Sequence, residues 1–80
     1  MKIICIFPSI HFVLKAEKHL KASGLQPDLV PVPKEISGDC GMALELEEKD
    51  LPQIKGLPPE LKPEAIYLRT SKGFQKLLDS

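Results

Sequence analysis

Apolar positions follow two rhythms along this chain, and each change of rhythm is marked by proline or glycine. Residues 2–7, KIICIF, form a continuous β-branched and aromatic run ended by Pro8. This predicts a strand buried on both faces, hence central in its sheet. From residue 10 to residue 22 the spacing becomes helical. Ser9 stands at the N-cap position, its hydroxyl placed to accept from a first-turn amide, and Lys21 and Gly24 mark the stop. Residues 28–32, DLVPV, read as a second strand. Pro31 cannot donate to a ladder, so that strand belongs at an edge. Residues 42–47, MALELE, alternate, with Met42, Leu44 and Leu46 on one side and Ala43, Glu45 and Glu47 on the other.

The pattern weakens over residues 50–63. Asp50 can cap a short helix with Pro52 in its first turn and Gly56 at its end, and Pro58, Pro59 and Pro63 forbid anything longer. Residues 64–69, EAIYLR, predict a fourth strand. Phe74, Leu77 and Leu78 in the tail have the spacing of a short final helix. The order strand, helix, strand, strand, weak helix, strand is that of an α+β ferredoxin-like βαββαβ sandwich. It has a four-stranded antiparallel sheet, a short or degenerate second helix and a short C-terminal helix. In that arrangement the first and third strands lie side by side in the middle, and the second is an edge.

Composition narrows the function. Eighty residues make one small domain, 1–80, with a modest core and little room for a deep pocket. Lysine plus arginine equal aspartate plus glutamate at 11 each, so there is no basic footprint for nucleic acid and no polybasic membrane anchor. The run Ile3–Phe7 is too short to span a bilayer, and Pro8, Ser9 and His11 break its likeness to a signal peptide; a cytoplasmic protein is expected. There is no phosphate loop of the dinucleotide or P-loop kind, no Ser/His/Asp arrangement and no metal-ligand spacing, so no cofactor and no metal are expected.

Two cysteines are too few for a disulfide framework. Cys5 sits in the first apolar run and reads as a small hydrophobe. Cys40 lies on the loop between the second and third strands, between Asp39 and Gly41. In the expected topology that loop emerges at the end of the sheet where the first helix begins, near Ser9, Ile10 and His11. A helix N-terminus carries roughly half a positive charge and unpaired amides, which stabilise a thiolate. Gly38 and Gly41 let the backbone turn and expose amides to an anion, and Lys34 adds a positive charge. Asp39 opposes this. The plain alternative is a loop cysteine without consequence. His11 reads as a surface residue of the first turn, and nothing in sequence near His19 points to chemistry. At ~100° per residue Glu17 falls among Ile10, Val13, Leu14 and Leu20 on the apolar face. It either reaches the rim or a backbone amide, or is a buried acid that fixes a loop.

The strings FPSIHFVLKAEKHLKASGL and LVPVPKEISGDCG resemble a family of small bacterial selenium/sulfur carrier-like domains of uncharacterised function. The matching positions are Phe7, Ser9, Glu17, Leu20, Pro31, Pro33, Glu35, Ser37, Cys40 and Gly41, over about residues 2–47. Lys34 stands where the family usually has arginine, keeping the charge but losing the bidentate fork. The resemblance implies Cys40 as the carrier residue, accepting sulfur or selenium as a persulfide or selenosulfide. Ser9, His11, Lys34, Ser37, Gly38 and Gly41 would steady an anion or the loop, with Glu17 and Glu35 as structural neighbours. The implied partners are a donor and an acceptor protein, and self-pairing as a homodimer is left open. The competing expectation is a small binding or regulatory module without covalent chemistry. A stand-alone thiol enzyme would want a resolving cysteine or a substrate cleft, neither of which the sequence offers.

Overall fold

The computed structural model describes residues 1–37 and 41–79, with residues 78 and 79 by backbone alone. In chain order the elements are β1 (Lys2–Ile6), α1 (Ile10–Ala22), β2 (Asp28–Pro31), β3 (Met42–Glu47), α2 (Leu51–Lys55), β4 (Ala65–Thr70) and β5 (Gly73–Asp79). Single 3-10 turns at Glu48–Asp50 and Pro59–Leu61 flank α2. The strands form one sheet in the order β2-β3-β1-β4-β5, every neighbouring pair antiparallel. β1 and β3 are adjacent, β2 is an edge, and α2 is short and enters through proline, all as the sequence implied.

The C-terminal segment departs from that reading. In place of a final helix it forms a fifth strand, so the sheet has five strands rather than four. The β4–β5 register slips between Ile66 and Tyr67: Tyr67 faces Lys76, whereas Ile66 faces Leu78. The residue skipped is Leu77, a β-bulge. It breaks the two-residue alternation, so that Phe74, Leu77 and Leu78 mimic helical spacing. Gly73, at φ +124°, follows the two-residue turn and lets the chain reverse, and the Thr70 hydroxyl accepts from the Lys72 N–H at 3.2 Å.

One face of the sheet holds the core. Ile3 and Cys5 of β1, Leu44 and Leu46 of β3 and Ile66 of β4 are buried together with Val13, Ala16 and Leu20 of α1, Ile54 of α2 and Leu57. Each large aliphatic side chain buried in this way is worth about 1.5–3 kcal/mol. The face of α1 that packs is thus narrower than the one read from sequence: Ile10 and Leu14 are about half exposed. α1 ends in a Schellman motif, with the Leu25 N–H on the Leu20 carbonyl, the Gly24 N–H on the Lys21 carbonyl (3.0 Å each) and Gly24 at φ +91°.

On the opposite face Ile4 has no exposure at all. It is flanked in register by Glu45 and Tyr67. Arg69 of β4 reaches across β1 to the Glu45 carboxylate (3.0 Å), with its guanidinium 5.1 Å from the centre of the Phe74 ring. Long polar side chains thereby roof an apolar strand that no helix covers.

Both sheet edges are guarded. The Val32 N–H turns inward to the Gly41 carbonyl (3.0 Å), so alternation points the backbone of Pro31 outward, where it has no N–H to offer. β5 carries the bulge and Lys76, two further devices against edge pairing.

Candidate functional site

The site is built where β1 and β2 leave the sheet. Both run antiparallel to β3, so they exit at the same end. After β1 the segment Phe7–Pro8–Ser9 turns into α1, whose first intrahelical bond is the Val13 N–H donating to the Ser9 carbonyl at 3.1 Å. After β2 the chain makes a turn in which the Ile36 and Ser37 N–H groups donate to the Pro33 carbonyl at 3.0 and 3.1 Å. It re-enters the sheet at Gly41, and the Val32–Gly41 bond closes the loop at its base.

Between the two exits lies a concavity of about 380 Å³. Ile6, Phe7, Pro8, Ser9 and Ile10 form one wall; Val32, Ser37, Gly41 and Met42 form the other, and Glu64 stands at the border. A second hollow of about 320 Å³ opens on the other side, against Ile36, Tyr67 and Lys76, and shares Ile6, Ser37 and Glu64 with the first. Ser37 therefore sits between two concavities at this end of the sheet.

The electrostatics favour an anion at the start of α1. Its first turn contains no acidic residue, and Ser9, extended at φ −156° and ψ 165°, makes no side-chain capping bond. That corrects the expected cap. The first-turn N–H groups keep their polarity toward the concavity instead of being tied to the Ser9 hydroxyl. Glu64 acts in the opposite sense. Its N–H donates to the Ile6 carbonyl at 2.8 Å, which fixes it beside the end of β1. Nothing in the string EAIYLR marks this residue in advance. Val32 and Met42 were equally illegible, since only the pairing of β2 with β3 brings them to the wall.

The remaining expected site residues are dispersed. Ser9, Ser37 and Gly41 border the concavity; His11, Lys34, Glu35 and Glu17 do not. His11 is exposed, its ring edge-on to that of Phe12 at 6.1 Å. Lys34 and Glu35 are exposed in the turn after Pro33. Glu17 is one-fifth exposed and ion-paired to Lys21 at 3.4 Å, so it reaches the rim rather than fixing a loop. A Cβ at Gly41 would meet Val32 Cγ2 at 3.8 Å, an ordinary van der Waals contact, so the space around this position does not require a glycine. Gly38, Asp39 and Cys40 lie outside the described residues.

The other thiol is chemically silent. Cys5 is 1% exposed, and burial pushes its pKa up to about 12. Among the described residues no group of three potential ligands could hold a metal ion, and no helix is long and apolar enough to cross a membrane.

Comparison with known protein families gives a match to the family described as "Putative Se/S carrier protein-like", over residues 2–68. The match spans β1 to most of β4 and leaves β5 outside it. Neither the curated proteins nor the solved structures yielded a match.

Proposed function

The chain belongs to the Se/S carrier protein-like family, and from that premise we propose that it carries sulfur or selenium between proteins, with Cys40 as the accepting thiol. The observation that supports this reading most is the placement of Ser37 and Gly41. They are the described residues on either side of 38–40, and both border the concavity that Ser9 and Ile10 form at the start of α1. A carrier needs an accessible nucleophile, a place for a charged terminal atom and a surface for its partners, but no deep pocket.

In the loading step the Cys40 thiolate attacks the terminal sulfur of a donor persulfide. A new S–S bond forms on Cys40, the donor's S–S bond breaks, and the donor leaves as a thiolate that takes up a proton; no net oxidation occurs. Selenium follows the same course, with a selenosulfide in place of the persulfide. Delivery reverses the roles, the acceptor's nucleophile attacking the terminal atom and Cys40 leaving. The first-turn amides of α1 stabilise the anionic forms at both stages. In this reading β1 to β4, with α1 and α2, form a ferredoxin-like core, and β5 is an addition to its edge.

The test is loading by a persulfide-bearing desulfurase, followed by intact-mass measurement. The wild type gains one sulfur, which a reductant removes, and Cys40→Ser gains none. A Cys40→Ser variant that loads as well as the wild type would end the proposal. The competing reading is a binding module of the same fold, and it wins if Cys40 is alkylated no faster than a free model thiol near neutral pH.

A further inference from the structure

The hollow that α1 forms with the Pro59–Leu61 turn, away from the concavity described above, has an unusual make-up. Its volume is about 390 Å³, and it is lined by Lys15, Lys18, His19, Ala22 and Leu61. Leu61 also packs against the core cluster, so the floor is anchored and apolar, while the two lysines and the histidine at the rim are exposed. The charge here has no local explanation. Lys15 and Lys18 lie in the middle of the helix, beyond reach of the favourable interaction that its C-terminal end offers to Lys21. Neither has a carboxylate three or four residues away: Lys15 has His11, Phe12, Lys18 and His19 there, and Lys18 has Leu14, Lys15, Lys21 and Ala22. Among the described residues the helix makes one ion pair, Glu17 with Lys21. Lys15, Lys18 and Lys21 stand three apart, like charges on neighbouring turns, an arrangement that costs a helix stability. In a chain of zero net charge, these lysines amount to a local surplus kept against that cost. Exposed Glu60 of the facing turn is offset by exposed Lys62 beside Leu61.

We propose that this hollow docks an acidic segment of a partner protein, one apolar side chain of that segment seated on Ala22 and Leu61 and its carboxylates on Lys15, Lys18 and His19. Charge complementarity selects the partner, and the apolar floor distinguishes this hollow from a general anion-attracting surface. The site is independent of Cys40 and stands whether or not Cys40 accepts cargo.

The experiment is a titration of the isotopically labelled protein with acetyl-Asp-Glu-Leu-Glu-Asp-amide, followed by amide chemical shifts. Saturable shifts at residues 15–22 and 60–62 are expected, weakened several-fold as salt rises and the Debye length falls from about 10 Å toward 3 Å. Lys15→Glu/Lys18→Glu lowers the affinity by at least about tenfold, with Lys15→Gln/Lys18→Gln as the milder pair should the first not fold. Lys72→Glu, in the turn between β4 and β5 and outside the lining of the hollow, leaves the affinity unchanged. Replacing the peptide's leucine by serine weakens binding. Shifts spread over all lysines, equal binding of the serine peptide, or no binding by the peptide beside tight binding to phosphatidylserine vesicles would each overturn the proposal, the last in favour of a membrane surface.

Discussion

The two thiols of this chain are expected to behave as opposites, and the difference is measurable. Burial raises the pKa of Cys5 from the ordinary 9.0 to about 12. Three units lower the thiolate fraction near neutral pH by about a thousandfold relative to a free cysteine. Access adds a second barrier. The residue is 1% exposed in the middle of β1, so an alkylating reagent reaches its sulfur only when the sheet opens. For a domain of ordinary stability, about 5 kcal/mol, the open population is roughly 2 in 10,000. Native protein treated with iodoacetamide therefore takes up no label on Cys5, and the reading proposed above puts its single label on Cys40. Cys5 stays unmodified on that timescale, and both residues react in urea. Intact mass, followed by peptide mapping, reads the outcome. In Cys40→Ser the native protein stays unlabelled while the wild type is fully labelled. Parallel uptake of two labels, or labelling of Cys40→Ser within about tenfold of the wild-type rate, would refute the inertness derived for Cys5.

Three further outcomes follow from the geometry. Because the folded-state pKa of Cys5 lies above its ordinary value, its contribution to stability is complete below about pH 9 and is lost as pH rises toward 12. Urea denaturation across that window should show the wild type losing up to about 1.4 kcal/mol per pH unit relative to Cys5→Ala; parallel curves would contradict it. Ser9→Ala should change stability by less than about 0.3 kcal/mol, against about 1 kcal/mol for a working N-cap, since the Ser9 side chain makes no capping bond; a cost near the usual figure in chemical denaturation would show a cap in solution. Gly24→Ala should cost about 1 kcal/mol or more because of its positive φ, whereas Gly41→Ala should be nearly neutral; thermal melts that rank the two the other way would count against both assignments.

How the open face of the sheet is roofed could be read only from the tertiary structure. Residues 2–7 announced a strand buried on both sides, and β1 is central, with Ile3, Ile4 and Cys5 at 1% exposure or less. The sequence cannot say what covers Ile4, because Arg69 is distant along the chain and reaches Glu45 only once β3, β1 and β4 lie in register. Glu17 illustrates the same limit. Helical periodicity placed it on the apolar face, but how far that face extends depends on the sheet beneath it, which takes Val13, Ala16 and Leu20 and leaves the flank with Ile10 and Leu14 to solvent.

By itself the sequence determined the local elements and the family. Runs bounded by proline and glycine located β1, α1, β2, β3, the short α2 and β4 to within a residue or two, because capping, turn chemistry and side-chain period act over a few neighbouring residues. The motif strings identified the family whose match over residues 2–68 then confirmed it. Tertiary structure alone decided the fate of residues 73–79. Their spacing fits a helix, yet the free edge of β4 supplied a backbone partner, and a bulge at Leu77 absorbed the misfit. It also decided which side chains meet at the end of the sheet: Ser9, Ser37, Gly41 and Glu64 come together, and His11, Lys34 and Glu35 do not. That choice depends on strand pairing between residues far apart in the chain, an interaction to which no local pattern is sensitive.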